Sequence, residues 1–104
     1  VAITPGQKIT YVTDILYSPE NIHKIVDFAR DSDQCYIEAA FLNADAHIAA
    51  QKYHLTAKQA GEIAGRARVK KIIPFHFSPR YSGDVRRLEN EALTAFNEMR
   101  NESA

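Results

Sequence analysis

Asp14, Glu38, His54 and His76 have side chains suited to holding a cation or moving a proton. Carboxylates and imidazoles do both near neutral pH. Their spacing is informative because each one sits where a regular element ends or begins. Asp14 follows the alternating stretch Lys8 to Thr13, Glu38 lies near the end of Gln34 to Ala39, and His76 follows Val69 to Phe75. His54 stands just before Thr56-Ala57-Lys58-Gln59. If the three stretches are parallel strands, these groups converge on the carboxyl edge of the sheet, where open α/β sheets bind their ligands. Taken singly, each group has an ordinary reading beside the chemical one. Asp14 opens a turn or ligates. Glu38 ends a strand in solvent, although its neighbours Tyr36, Ile37, Ala39, Ala40 and Phe41 are uncomfortable company for a free carboxylate. His54 sits in an exposed loop. His76, between Phe75 and Phe77, is the group that most needs a partner.

Other candidates are weaker. His23 and His47 fall inside helices with no acidic cluster at ligand spacing and read as structural or solvated. Cys35, the single cysteine, has an apolar strand setting and no adjacent cation, the setting of a buried thiol. No Gly-rich phosphate loop, Gly-x-Ser-x-Gly elbow or Cys-x-x-Cys pair occurs. A catalytic zinc usually takes three protein ligands, mostly His, and this chain offers one Asp and one His for that role.

The elements that must position these groups alternate. Ile9 and Tyr11 oppose Thr10 and Val12 in the first strand, and Cys35 and Ile37 share a face of the second. Ser18-Pro19-Glu20 opens a helix with an N-cap, a proline at the first helical position and an acidic first turn; Ile22, Ile25, Val26 and Ala29 follow at helical spacing. Asn43 or Asp45 caps a short helix to Lys52. Thr56 to Gln59 has the form of a capping box, and Ala57, Ala60, Ile63, Ala64 and Ala67 form a stripe small enough for close approach to a sheet. Val69 to Phe75 is the third strand, with Pro74 near its end. Ser82 or Asp84 opens a last helix with Val85, Leu88, Ala92, Ala95, Phe96 and Met99 on its apolar stripe.

The order β-α-β-α-α-β-α implies crossover connections and a largely parallel sheet. Right-handed crossovers running one way place the helices on one face. The other face is then bare, carrying Tyr11, Ile37 and Ile73 or their neighbours. A bare apolar sheet face needs cover from a second copy or a further segment. The chain begins at Val1 rather than Met, so the expectation is a processed start or a piece of a longer protein.

With 104 residues, 45% hydrophobic and 25% charged, the composition is that of one globular domain. Thirteen basic residues balance thirteen acidic ones, which argues against a binder held to nucleic acid or acidic membrane by bulk charge. The balance is uneven: residues 1–51 hold three basic and seven acidic groups, residues 52–104 ten basic and six acidic. Arg66, Arg68, Lys70 and Lys71 cluster most tightly, either as the cationic end of a helix or as a polyanion patch. No apolar stretch approaches the roughly 20 residues of a membrane span. One cysteine and no signal-peptide pattern fit a reducing, cytoplasmic setting.

Four runs carry a family resemblance: Tyr11-Val12-Thr13-Asp14, Ile37-Glu38-Ala39-Ala40-Phe41, His54-Leu55-Thr56-Ala57-Lys58-Gln59-Ala60 and His76-Phe77-Ser78-Pro79-Arg80-Tyr81. In this order, over residues 8 to 81, the chain resembles the C-terminal half of the metallo-β-lactamase superfamily, in its ribonuclease Z-like branch. The resemblance implies an α/β chain that is half of an αββα sandwich, its missing N-terminal half covering the bare face. It implies that Asp14 bridges two metal ions, most plausibly zinc, and that His76 binds one of them. His54 protonates the leaving group, Glu38 orients or relays protons to His54, and Arg80 lies near the substrate phosphate. The implied reaction is phosphodiester hydrolysis at the 3′ end of precursor tRNA by a homodimer. Ile37, Ala40 and Leu55 depart from the family's His, Thr and Ser at those positions. The family's His-x-His-x-Asp-His signature, from its N-terminal half, is absent from these residues. The expectation is therefore a hydrolase portion inactive alone. The alternative is a non-catalytic α/β module that dimerises through its open sheet face.

Overall fold

The computed structural model describes residues 2–4 and 7–102. The elements run β1 (Ala2–Thr4), β2 (Gln7–Val12), α1 (Pro19–Ala29), β3 (Gln34–Glu38), α2 (Ala46–Gln51), α3 (Ala57–Arg66), β4 (Ile72–Phe75) and α4 (Val85–Glu102), with 3-10 turns at Asn43–Asp45 and Pro79–Tyr81. The three expected parallel strands are present in the order β2-β3-β4, and the β-α-β-α-α-β-α pattern holds. The sequence reading lacked β1, which adds an antiparallel edge to β2. It also started β4 too early: the buried Val69 still bonds back to Ala64 O, at 3.3 Å, as part of the turn that closes α3.

Alternation within the strands sorts the two faces. Thr10, Val12, Cys35, Ile37 and Ile72 are buried on the face packed against helices. α3 touches β3 and β4, and α4 touches β4. Cys35 sits so deep that burial pushes its thiol up to about 12, so it is an inert core group, as its setting suggested. Ser32 ties α1 to this core. Its hydroxyl donates to Ala29 O at 2.7 Å, so the 2.7 Å bond with Thr10 Oγ1 must be donated by the threonine.

The opposite face carries Tyr11, Tyr36 and Ile73, aligned in one row by the register. Tyr11 stacks on Tyr36 at 4.6 Å, and Tyr36 meets Phe75 edge-on. Tyr11 is 53% exposed. Ile37 was expected on this face and is not there. It pairs with Val12 and Pro74 and is fully buried, because the two-residue period puts its neighbour Tyr36 outward instead.

Two of the helix starts act as read. Ser18 Oγ accepts from Asn21 N at 3.3 Å with Pro19 at the first position. Thr56 and Gln59 form the reciprocal capping box, at 3.1 and 2.9 Å. Neither Asn43 nor Asp45 caps α2 with its side chain: Asp45 accepts the Tyr81 hydroxyl, and Asn43 Oδ1 accepts Thr56 Oγ1 at 3.4 Å. Asp84 immediately precedes α4; Leu88, Ala92, Ala95 and Phe96 are buried along that helix, but Val85 is 39% exposed. No helix among the described residues is long and apolar enough to cross a membrane.

The basic run is broken up by the fold. Arg66 occupies the last turn of α3, where a cation suits the helix dipole, and Lys70 pairs with Asp33 at 3.0 Å. The Lys8 N–H and then Lys70 hold the Asp33 carboxyl below its usual range. His54 lies at the other end of α3, about 15 Å away along a ten-residue helix. The Arg66 cluster and the candidate site therefore do not share one bound group.

Within α3, Gly61 and Gly65 permit close contact with α4: a Cβ on Gly61 would lie 2.2 Å from Ala92 O, and one on Gly65 2.9 Å from Phe96 O. Gly61→Ala should therefore lower stability by about 1–3 kcal/mol in urea denaturation, despite the better helix propensity of alanine. A stabilised variant would show that α3 and α4 do not pack this closely.

Candidate metal and proton-transfer site

The carboxyl edge of the sheet gathers all four predicted groups. Asp14, Glu38, His54 and His76 each offer a ligand atom within 4.8 Å of the others. Each comes from a different segment. Asp14 follows β2, Glu38 is the last residue of β3, His76 follows β4, and His54 precedes the cap of α3. Asp14 and His76 leave their strands through left-handed turns, with φ of 56° and 61°. Asp and His are among the non-glycine residues that adopt this uncommon conformation, which collects at functional sites.

Glu38 organises the group. It is fully buried, yet its carboxylate is surrounded by donors. His76 Nδ1 lies 2.6 Å from Oε1, and His54 Nδ1 lies 3.0 Å from each oxygen. The Leu55 N–H donates to Oε2 at 3.1 Å, and Thr13 Oγ1 donates to Oε1 at 3.3 Å. A carboxylate only accepts, so both imidazoles place their proton on Nδ1, which leaves Nε2 of each neutral ring as the free lone pair. No buried side-chain polar atom among the described residues lacks a partner. Glu38 is thus not a vacant ligand; it is the carboxylate that orients two histidines, the usual support for a metal-binding imidazole.

The remaining donors are the His76 ring and the Asp14 carboxylate, which is 71% exposed. His54 Nδ1 approaches Asp14 Oδ1 only to 4.0 Å. The His54 and His76 rings stand nearly perpendicular, 5.7 Å apart. Asp14 and His76 fit a metal ion in chemistry and placement, but two ligands are fewer than a zinc site normally takes.

Arg80 is exposed in the Pro79–Tyr81 turn, its N–H donating to Ser78 Oγ at 3.3 Å. It does not line the neighbouring cleft of about 160 Å³, whose walls include Phe41, Lys52, His54, His76, Phe77 and Ser78. Sequence reasoning missed three supports. Thr13 contacts both Glu38 and His76. The Tyr81 hydroxyl accepts from Leu42 N at 3.1 Å and donates to Asp45, while burial raises its pKa. Glu91, on α4, accepts from Asn43 N at 3.0 Å and Lys58 N at 3.1 Å, clamping the loop after β3 to the start of α3. Tyr81 was visible in the last motif; nothing local marked Glu91 among the acidic residues of an exposed-looking helix face.

Glu38→Ala should cost about 3 kcal/mol by chemical denaturation, because it strands the buried Leu55 N–H and two imidazoles. Asp14→Asn, at an exposed position whose left-handed turn suits Asn, should change stability by less than about 0.5 kcal/mol. Equal losses in the two variants would contradict this division of roles.

No family model matches the chain. Among curated proteins it is 38% identical over 89 residues to a ribonuclease Z of Acaryochloris marina, covering 86% of this chain and 27% of that protein. It is 38% identical over 95 residues to a ribonuclease Z of Kineococcus radiotolerans, covering 91% and 29%. Against a ribonuclease Z of Nanoarchaeum equitans it is 39% identical over 83 residues, covering 80% and 25%. The chain spans little more than a quarter of the length of the relatives it matches. By sequence, over most of its own length, the chain is ribonuclease Z-like, similar to the C-terminal portion of that metallo-β-lactamase-type family.

Proposed function

We propose that this chain is the C-terminal portion of a metal-dependent phosphodiesterase acting on RNA, with precursor tRNA as its substrate. One observation carries the reading: a buried carboxylate, Glu38, holds two histidines from different segments beside Asp14, in a chain similar to ribonuclease Z.

Asp14 and His76 would hold the metal, zinc, with the rest of its ligands supplied by an upstream half. When bound, a zinc pair supplies Lewis acidity and an activated water near neutral pH. The chain's own residues position and transfer protons. Glu38 fixes the His76 ring through Nδ1, so that Nε2 is the ligand atom. It fixes His54 in the same way, and His54 in its protonated form gives a proton from Nε2 to the leaving oxygen. Arg80 neutralises phosphate charge as the substrate approaches.

The open sheet face supports the same reading. Tyr11, Tyr36 and Phe75 make an aromatic surface that an upstream sheet layer would cover, completing an αββα sandwich of which residues 1–104 are one half. The complete protein is proposed to be a homodimer in the cytoplasm, a setting supported by the single reduced thiol Cys35. The alternative, a non-catalytic module dimerising through that face, is supported by the exposure of Tyr11 and leaves the Glu38 cluster without a purpose.

The test is to join the chain to its upstream coding sequence. The joined protein should hydrolyse bis-p-nitrophenyl phosphate and trim precursor tRNA, and the 104-residue chain alone should do neither. His54→Ala in the joined protein should slow turnover roughly 100- to 10,000-fold while metal content is retained. An upstream sequence lacking a His-x-His-x-Asp-His stretch, or turnover by the chain alone, would overturn the proposal.

A further inference from the structure

Among the described residues one lysine, Lys52, lines the cleft that His54 and His76 open into. Lys52 terminates α2, two residues before His54. Its backbone N–H completes the helix by bonding to Ile48 O and Ala49 O, both at 3.2 Å. Tyr53 then adopts a left-handed conformation, with φ of 57°. That conformation is costly for a bulky aromatic, and the residues on either side of it, Lys52 and His54, both line the cleft. Of the five non-glycine residues with positive φ, Asp14, Tyr53 and His76 all belong to this edge of the molecule.

The side chain of Lys52 is uncommitted. Lys8 reaches Arg30 O, Lys24 pairs with Glu20, and Lys70 pairs with Asp33. Among the described residues the Lys52 ammonium has neither an ion pair nor a hydrogen bond. The cleft around it, about 160 Å³, has Ser78 as a hydroxyl donor and Phe41 and Phe77 as apolar walls. A cleft of that volume has room for a phosphate group. Arg80, the cation marked by sequence, does not reach this cleft.

We propose that Lys52, with Ser78, binds the phosphate of a diester in the cleft beside His54 and His76. This rests on the phosphodiesterase reading for its ligand class. A lysine there acts as a strongly hydrated point charge that tolerates different diester orientations. The anion it holds lies next to the His54 ring, so one short segment, 52–54, supplies both the anchoring charge and the proton donor.

The test is a titration of the 104-residue chain with dimethyl phosphate at constant ionic strength, followed by amide chemical shifts. Saturable shifts are expected at Lys52, Ser78 and His76. Lys52→Gln, at an exposed site where folding is preserved, should weaken binding about threefold to fivefold, as for a single solvent-facing charge pair. Lys58→Gln, outside the cleft, should leave it unchanged. Undiminished binding in Lys52→Gln, or equal weakening in Lys58→Gln, would overturn the assignment. Failure of the hydrolysis reading registers separately, as no bis-p-nitrophenyl phosphate turnover by the joined protein.

Discussion

A carboxylate buried without charge partners is among the most expensive groups a fold can contain, and everything at this sheet edge is arranged around one. Glu38 is fully enclosed and meets that cost with five donor contacts from four residues in three segments of the chain. Those contacts fix where the segments lie. The loop before α3 is held through His54 and Leu55, the end of β4 through His76, and the exit of β2 through Thr13. The same bonds set the protonation pattern of both imidazoles. Position and chemistry follow from one constraint.

The rest of the fold keeps that constraint satisfied. α3 is anchored at its start by the Thr56–Gln59 box, by the Phe41 O bond to Ala57 N at 2.7 Å, and by the Glu91 clamp. α4 reaches α3 closely because Gly61 and Gly65 remove the side chains that would hold the helices apart. Tyr81 and Asp45 lock the turn between β3 and α2. A carboxylate on α4 and two glycines on α3 thus stand behind a histidine that neither touches.

Much of this was legible in the sequence because it rests on local patterns. The period-two alternation of Ile9 to Val12, the Ser18-Pro19 start and the Thr56 capping box are short-range signals, and each produced its element. Convergence of Asp14, Glu38, His54 and His76 followed from parallel topology, which places successive strand ends on one edge. What could not be read depends on partners distant in the chain. From the residues alone, Glu38 read equally as facing solvent until residues 54 and 76 fold onto residue 38; only the resemblance tied it to His54. The misplacement of Ile37 on the open face came from a register that only the β2–β3 pairing sets. Glu91 acts across more than thirty residues, and Lys52 lines a cleft whose other walls come from residues 40–41, 54 and 76–79.

The most direct test is the protonation of the two imidazoles. Long-range ¹H–¹⁵N NMR near pH 7.5 reports which ring nitrogen carries the proton. If Glu38 accepts from both rings, His54 and His76 will each show a protonated Nδ1 and a bare Nε2, and Glu38→Ala will abolish that preference. A protonated Nε2 with a bare Nδ1 at either histidine of the unaltered chain would contradict the account.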